Sequence, residues 1–411
     1  VRSRPQPTPG EVDTIGAQNL GFSPEEYLAR IAAVRGRMSD QGLSALIVTD
    51  PANIFYLIGY NAWSFYTPQM LFVPIDGEMV FYAREMDAHG AHRTTWLPAD
   101  QIVGYPESYV HRPHLHPFDW VAWSLRQRHL IAPASNTGSV GLEMDSHFFS
   151  PKAYRALFNA IPEWKLVDSF ELVNWVRSVK SDAEVQLMRQ AGMVCSKAMR
   201  AAIDTIDIGV RQCDAAAAIS QAQITGTPEY GGDYPAIVPM MPTGAAADTP
   251  HLTWHQGTFV EDEAVVIELT GAHNRYHCPL ARTVSLGTPS KDLDYVAKAT
   301  AEGLNNVLEA IKPGVATREL ASTWNWTLAK YGLDKPSRLG YSIGIGYPPD
   351  WGERTISIRS EDESVLETNM TFHIVCGMWM DNYGFELSES VRVSPTGVEC
   401  FTDFPRELIQ K

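Results

Sequence analysis

The sequence is poor in the residues that mark disulfide-stapled, zinc-binding or membrane-spanning proteins. Its 411 residues contain five cysteines, an odd number at wide spacing without a C-x-x-C pair. This pattern excludes a disulfide framework and a zinc knuckle. No apolar run reaches the roughly 18 residues that a membrane-spanning helix needs. Reduced thiols without a spanning segment favour a cytoplasmic protein.

Basic residues are scarce relative to acidic ones. Lys and Arg number 33 against 48 Asp and Glu, which gives a formal net charge of -15. An excess of negative charge argues against a surface that binds nucleic acid or an anionic membrane. The composition therefore favours a small-molecule substrate. The length allows two or three domains, each with a full core.

Local patterns divide the chain into a tail and two domains. Residues 1–14 are rich in proline and predict a disordered tail. Strand and helix patterns then mix over residues 15–179 and predict an α/β domain. Ser181 precedes Glu184 by three residues, which is a capping box that opens a long helix. Over residues 180–411 helices are followed by strands, which predicts an α+β domain.

The stretch "VIELTGAHNRYHCPLART", residues 266–283, predicts two apolar strands joined by a turn. Glu268 lies inside the first of these strands. An acid in an apolar strand is either a functional group or a bulge residue that reaches solvent. The pattern alone leaves both possibilities open.

Several motifs resemble, in order and spacing, those of the pita-bread family of methionine aminopeptidases, prolidases and creatinase. They are "KSDAE" opening a helix, "PH" before a strand pair closed by "RT", "GYSIGIG", and a late "ELSESVRVSPTGVE". The similarity spans nearly the whole chain. It implies the α+β class, with a creatinase-like N-terminal α/β domain followed by a pita-bread catalytic domain. It also implies a homodimer in which residues of the first domain reach the partner's active site.

The metallopeptidases of this family bind two divalent ions through five side chains: two Asp, one His and two Glu. At the matching positions only Glu268 and Glu389 are acidic, while Pro279, Tyr341 and Val375 replace the other three. Two carboxylates cannot neutralise two hard cations. The resemblance therefore implies an enzyme that uses no metal ion and no cofactor.

Longer blocks, "GGDYPAIVPM", "PHLTW" and "YHCPLART", resemble a metal-free branch of the family that opens cyclic amidines. This resemblance implies hydrolysis of a C–N bond in a small cyclic amidine. Glu268 would attack the amidine carbon or deprotonate water, and both roles stay open. His251, at the position of the catalytic His of creatinase, would move protons.

Further residues are candidates for contact with the substrate, and each has a structural alternative. His277 could touch substrate or fill space, and Tyr341 could donate a hydrogen bond or pack. Glu389 could pair with a substrate cation or with a buried Arg. The aromatic candidates of the first domain are Trp63, Phe65 and Tyr66. Their ring faces could attract a delocalised cation, or the three residues could simply belong to a core or a dimer interface.

Other functions make different demands on the sequence. A prolidase-type metallopeptidase needs the missing ligands, a creatinase-like enzyme would act on another amidine, and a non-catalytic binding protein has no need of both Glu268 and His251.

"GYSIG" also matches the G-x-S-x-G elbow of serine hydrolases around Ser342. That elbow requires a buried strand before the serine and a helix after it. The flanking sequences predict neither, so Ser342 is not predicted to be a nucleophile.

Overall fold

The computed structural model describes residues 21–131 and 138–411, so the expected tail over residues 1–14 lies outside the described residues. The chain divides into two compact units, Val1–Val176 and Arg177–Lys411. All five cysteines are free thiols. Within the described ranges no helix is long and apolar enough to cross a membrane.

The first unit is built on a six-stranded mixed sheet with the order β4-β3-β2-β1-β5-β6. Strands β1 and β2 and strands β2 and β3 pair antiparallel, and the other neighbours are parallel. The strands are β1 (Leu43–Val48), β2 (Met70–Pro74), β3 (Val80–Arg84), β4 (Ile102–Tyr105), β5 (Ser139–Leu142) and β6 (Lys165–Asp168). The helices are α1 (Pro24–Asp40), α2 (Pro51–Ile58), α3 (Glu85–Thr94), α4 (Pro117–Gln127), α5 (Pro151–Ala160) and α6 (Leu172–Arg177).

Polar side chains set the starts of these helices. Ser23 and Asp50 accept backbone N–H groups at the starts of α1 and α2, and each is followed by a proline in the first turn. Helices α4 and α5 share a buried apolar core with the sheet, in which Phe72 stacks on Trp164 at 6.0 Å between ring centroids. Burial of this apolar area is the main stabilising contribution to the unit.

The second unit combines helices with a larger, mostly antiparallel sheet of order β13-β12-β11-β9-β8-β14, in which β10 pairs with β9 and β7 with β8. The helices are α7 (Asp182–Thr205), α8 (Gln212–Thr225), α9 (Lys291–Ala310) and α10 (Thr317–Ala329). The strands are β7 (Ala264–His273), β8 (Tyr276–Ser285), β9 (Gly340–Tyr347), β10 (Asp350–Ile358), β11 (Thr371–Met380), β12 (Tyr383–Ser394), β13 (Gly397–Cys400) and β14 (Ile409–Gln410). The predicted α+β class is confirmed.

Strands β7 and β8 form the predicted hairpin. Asn274 and Arg275, with φ of 46° and 63°, make the turn in the left-handed region that two-residue hairpins favour. Helix α7 lies directly on the hairpin: a Cβ at Gly271 would come within 2.1 Å of the Ala191 carbonyl oxygen. Only glycine permits this approach of helix to strand.

Strands β9 and β10 were not predicted, and they change the reason for excluding a serine nucleophile. Ser342 lies inside β9, where its Oγ is 2.5 Å from Thr355 Oγ1 on β10. A nucleophile elbow places the serine on a sharp turn between a strand and a helix. The geometry around Ser342 is that of a continuous hairpin, so the exclusion of Ser342 holds.

Candidate active site

Glu268 lies on β7 and is buried, with 6% of the residue exposed. Its backbone is held on both sides, because it pairs with Ala281 on β8 and exchanges two hydrogen bonds with Met240, of 2.9 and 3.1 Å. Burial disfavours the ionised carboxylate. It raises the pKa of Glu268 to about 7.

A second carboxylate, Glu386 on β12, lies beside Glu268. The Glu386 N–H donates to Thr283 Oγ1 at 2.9 Å, and Thr283 Oγ1 donates to the Glu386 carbonyl at 3.0 Å. Glu268 pairs with Ala281 on β8, and Glu386 is bonded to Thr283 on the same strand. Because residues two apart on a strand lie on the same face, the two acids are neighbours on one face of the sheet. Glu386 is 3% exposed. Burial and the nearby Glu268 hold the pKa of Glu386 well above its usual range.

The two carboxylates make no salt bridge with a Lys or Arg among the described residues, although the charge of Lys335 partly offsets the rise in the pKa of Glu386. Throughout residues 21–131 and 138–411, neither Glu268 nor Glu386 lies within salt-bridge distance of a Lys or Arg, and neither carboxylate has a side-chain hydrogen bond. The nearest ionisable nitrogen to Glu268 is Nδ1 of His373, at 3.9 Å from Oε1. Because burial disfavours the ionised form of both acids, a cation bound beside them would stabilise their charges.

His373 and Tyr341 extend the site across β11 and β9. Nδ1 of His373 lies 3.0 Å from the Tyr341 hydroxyl, and Nε2 lies 2.7 Å from Ser388 Oγ. Trp351 Nε1 donates to the same tyrosine hydroxyl at 2.8 Å. Burial, aided by the Arg338 cation, lowers the pKa of His373 to about 3, so its ring is neutral. Burial and the Glu268 charge hold the pKa of Tyr341 well above its usual range.

Two basic side chains border this cluster. The Arg338 guanidinium carbon lies 4.2 Å from the centroid of the Tyr341 ring, and its Nη1 donates to Ser357 Oγ at 3.2 Å. Lys335 donates to the Arg338 carbonyl at 2.6 Å, which fixes the loop that carries both cations. Arg338 is exposed, so its remaining donors are available to an anion.

His277 does not present a free nitrogen to a substrate. Its Nε2 accepts the Ala236 N–H at 2.9 Å, so Nδ1 carries the proton and donates to the Arg275 carbonyl at 2.8 Å. Burial holds the pKa of His277 well below its usual range. The structure therefore favours the structural alternative, in which His277 positions the loop that contains Ala236.

Glu389 also corresponds to its structural alternative. Its carboxylate lies 2.6 Å from Arg282 Nη2 and 3.2 Å from Arg406 Nε, and it accepts from Thr402 Oγ1 at 3.0 Å. Side chains alternate along a strand, so Glu389 points away from the face of β12 that carries Glu386. The expectation that Glu389 lines the substrate site is corrected on this geometry.

Of the remaining predicted site residues, His251 belongs to the second unit. His251 is exposed and, within the described parts of the chain, has no hydrogen bond to Glu268. The carbonyl of its neighbour Leu252 accepts from the Met241 N–H at 2.8 Å, which keeps this loop beside the segment that pairs with Glu268. His251 therefore remains a prediction.

The aromatic candidates belong to the first unit. Trp63 and Tyr66 are 57% and 60% exposed, and Phe65 packs edge-on against Phe148 at 5.7 Å. Ser64 is buried between them, with its Oγ 2.9 Å from Gln69 Oε1. The turn thus holds Trp63 and Tyr66 on its outer side.

The donor set does not fit a pair of divalent ions. Among the residues that the structure describes, no group of three or more His, Cys, Asp or Glu side chains could hold a metal. Pro279 stands on β8 opposite Thr270, and Val375 on β11 opposite Ser388. Neither can ligate an ion, and two Glu are too few for a dinuclear site.

The sequence-based site did not include Glu386, Ser388 or His373. A signal existed for two of them, because "MTFHIV" and "GFELSES" place an ionisable residue inside an apolar strand. That signal does not say which face of the strand is turned to the site.

Comparisons with known proteins agree with the architecture. The model of metallopeptidase family M24 matches residues 186–395, and that of the creatinase/prolidase N-terminal domain matches residues 30–179. An ectoine hydrolase of Halomonas elongata is 42% identical over 96% of this chain and 99% of its own length. An Xaa-Pro dipeptidase of Pyrococcus furiosus is 22% identical over 90% of this chain and 97% of its own. The prolidase structure of Thermococcus sibiricus shares the fold, with a TM-score of 0.81 at 17% identity over 94% of this chain and 99% of that one. The chain therefore belongs to metallopeptidase family M24, with an N-terminal domain of the creatinase/prolidase type.

Proposed function

We propose that the chain hydrolyses the cyclic amidine ectoine to an N-acetyl-2,4-diaminobutyrate without a metal ion. As a member of this family with a hydrolase relative at 42% identity, it is a hydrolase that acts on C–N bonds. The observation that carries the choice of substrate is the buried pair Glu268 and Glu386, which makes no salt bridge to a Lys or Arg among the described residues.

A cyclic amidinium suits this pair. Its positive charge is spread over two nitrogens, each of which carries an N–H. Two carboxylates on one surface can accept one N–H each, and the cation offsets the unfavourable burial of both acids. Binding of the cation would lower the pKa of both Glu268 and Glu386, so that Glu268 is ionised when the substrate is bound.

Glu268 then acts on the amidine carbon. Its carboxylate either attacks this carbon directly or removes a proton from the attacking water. In both cases one water is added, one ring C–N bond breaks, and the amidine carbon becomes the carbonyl of an acetamide. The protonated amidine is already electrophilic, so the step needs no Lewis acid. His251 would transfer protons between the water and the products.

The remaining parts of the substrate have partners as well. The carboxylate of ectoine would meet the guanidinium of Arg338, which lies beside Tyr341 at the edge of the cluster. In a homodimer, a second copy of the chain would supply Trp63, Phe65 and Tyr66 as aromatic faces for the cation.

We place the enzyme in the cytoplasm, where its free thiols stay reduced.

Incubation of the purified protein with ectoine, followed by NMR of the products, tests this function. We expect the ring signals to be replaced by those of an acetamide and a free amine. Creatine serves as the comparison substrate, because it carries a guanidinium and a carboxylate without a ring. Turnover of creatine but not of ectoine would move the function to a creatinase-like enzyme. Binding of ectoine without turnover would make the chain a binding protein.

A further inference from the structure

A chain of hydrogen bonds with a defined direction enters the site from the backbone of β8. It begins at the Ala281 N–H, which can only donate, and which reaches Ser388 Oγ at 2.6 Å. Ser388 Oγ therefore acts as an acceptor toward Ala281, and its own hydrogen remains for another partner.

The only such partner in the described part of the chain is His373 Nε2, at 2.7 Å. Ser388 is fully buried, so leaving its hydrogen without an acceptor would be unfavourable. The Ser388 hydroxyl therefore donates to Nε2. Because the buried His373 ring is neutral, its single proton must lie on Nδ1.

This tautomer determines the state of Tyr341. The His373 Nδ1–H donates to the Tyr341 hydroxyl at 3.0 Å, and Trp351 Nε1, which is also an obligatory donor, reaches it at 2.8 Å. The oxygen of Tyr341 thus accepts twice. Its own O–H has no acceptor among the described residues, and Glu268 lies 3.9 Å from the same Nδ1.

We propose that Tyr341 is the acid that protonates the nitrogen leaving the ring. This inference rests on the proposed function. When the bond between the amidine carbon and this nitrogen breaks, the electron pair stays on nitrogen, which takes the Tyr341 proton. The resulting phenolate is held by the N–H groups of Trp351 and His373. The water that supplies the acetamide oxygen returns one proton to Tyr341, and its second proton completes the ammonium group of the product.

Trp351, His373 and Ser388 are then positioning residues. They touch one another or Tyr341, and they orient its O–H toward the bound substrate. The acid is distinct from Glu268, which approaches the carbon and not the nitrogen. It is also distinct from His251, which is left to move protons of the water.

The direction of the hydrogen-bond chain can be measured without any substrate. In protein labelled with nitrogen-15 histidine, the His373 ring signals are assigned by their loss in His373→Gln. We expect a proton on Nδ1 and none on Nε2. A proton on Nε2 would mean that Nδ1 accepts the tyrosine proton, and the proposal would be overturned.

The acid role is tested by kinetics with ectoine. Tyr341→Phe should lower kcat by about 100-fold or more and change KM less, whereas Tyr295→Phe, at an exposed tyrosine on α9, should behave as wild type. Fluorotyrosine at position 341 keeps the hydrogen bonds but has a more acidic phenol, so the alkaline limb of the kcat profile should move to lower pH.

Retention of kcat in Tyr341→Phe, or an unmoved pH profile with fluorotyrosine, would overturn the proposal while leaving ectoine hydrolysis intact. If the wild-type protein does not turn over ectoine, the proposed function fails separately. In that case the nitrogen-15 measurement of the His373 tautomer still tests the direction of the hydrogen bonds to Tyr341, because it needs no substrate.

Discussion

Replacing Glu268 by glutamine should change activity and stability in opposite directions. Burial raises the pKa of this carboxyl from 4.5 to about 7. At 1.36 kcal/mol per pKa unit, this rise corresponds to roughly 3 kcal/mol. As pH rises from about 4.5 to about 7, the unfolded chain loses the proton before the folded protein does, so the free energy of unfolding falls. Above about pH 7 the free energy of unfolding is lowered by this full amount.

Glutamine cannot ionise, so Glu268→Gln removes this loss. We expect its free energy of unfolding to exceed that of the wild type by up to roughly 3 kcal/mol at about pH 8, and to match it at about pH 4. Turnover of ectoine should fall by about 100-fold or more, because a nucleophile or base is lost. In the wild type, kcat/KM should rise with pH toward about 7, as Glu268 in the free enzyme loses its proton.

Urea unfolding at the two pH values and product NMR measure both effects. Glu389→Gln is the matched control, since it makes the same change at another buried acid on the same sheet. Glu389 is paired with Arg282 at 2.6 Å, so breaking the pair should destabilise the protein by about 3–5 kcal/mol. Loss of stability at about pH 8 in Glu268→Gln, or near-normal turnover, would refute the assignment of an unpaired catalytic carboxylate.

Three further results are expected. Activity should survive exhaustive chelation, because the site offers too few ligands for a metal pair; loss with EDTA and recovery with a divalent ion would contradict this. Arg338→Met should raise KM for ectoine by about 10-fold or more with little change in kcat, whereas Arg318→Met, at an exposed surface pair, should not. Light scattering should give about twice the 45.6 kDa of one chain, and an active monomer would exclude a role for Trp63 in a second copy's site.

The hairpin and its acid could be predicted because their signals are local. Two apolar runs around Asn274 predict a hairpin, and a lone acid such as Glu268 stands out in an apolar strand. The helix starts at Ser23 and Ser181 could likewise be predicted, since a cap and its partner lie three residues apart. Each of these features depends on a few neighbouring residues.

The rest of the site could not be predicted because it depends on which face of a strand is turned inward. Strand β12 carries polar residues on both faces, so its pattern does not distinguish Glu386 from Glu389. Only the packing of β12 against Thr283 and Arg282 decides which acid meets Glu268. The structural role of His277 depends on its hydrogen bond with Ala236, 41 residues away. No local sequence pattern indicates such a distant partner.

The loop before the hairpin is joined to it at several points. The Asp233 N–H donates to the Ala272 carbonyl at 2.8 Å, Ala236 donates to His277, and Met240 pairs with Glu268. Such a segment opens together with the sheet and not as an independent surface loop. Its amides should therefore exchange with deuterium as slowly as those of β7, and one rim of the active site keeps its shape whether or not a substrate is bound.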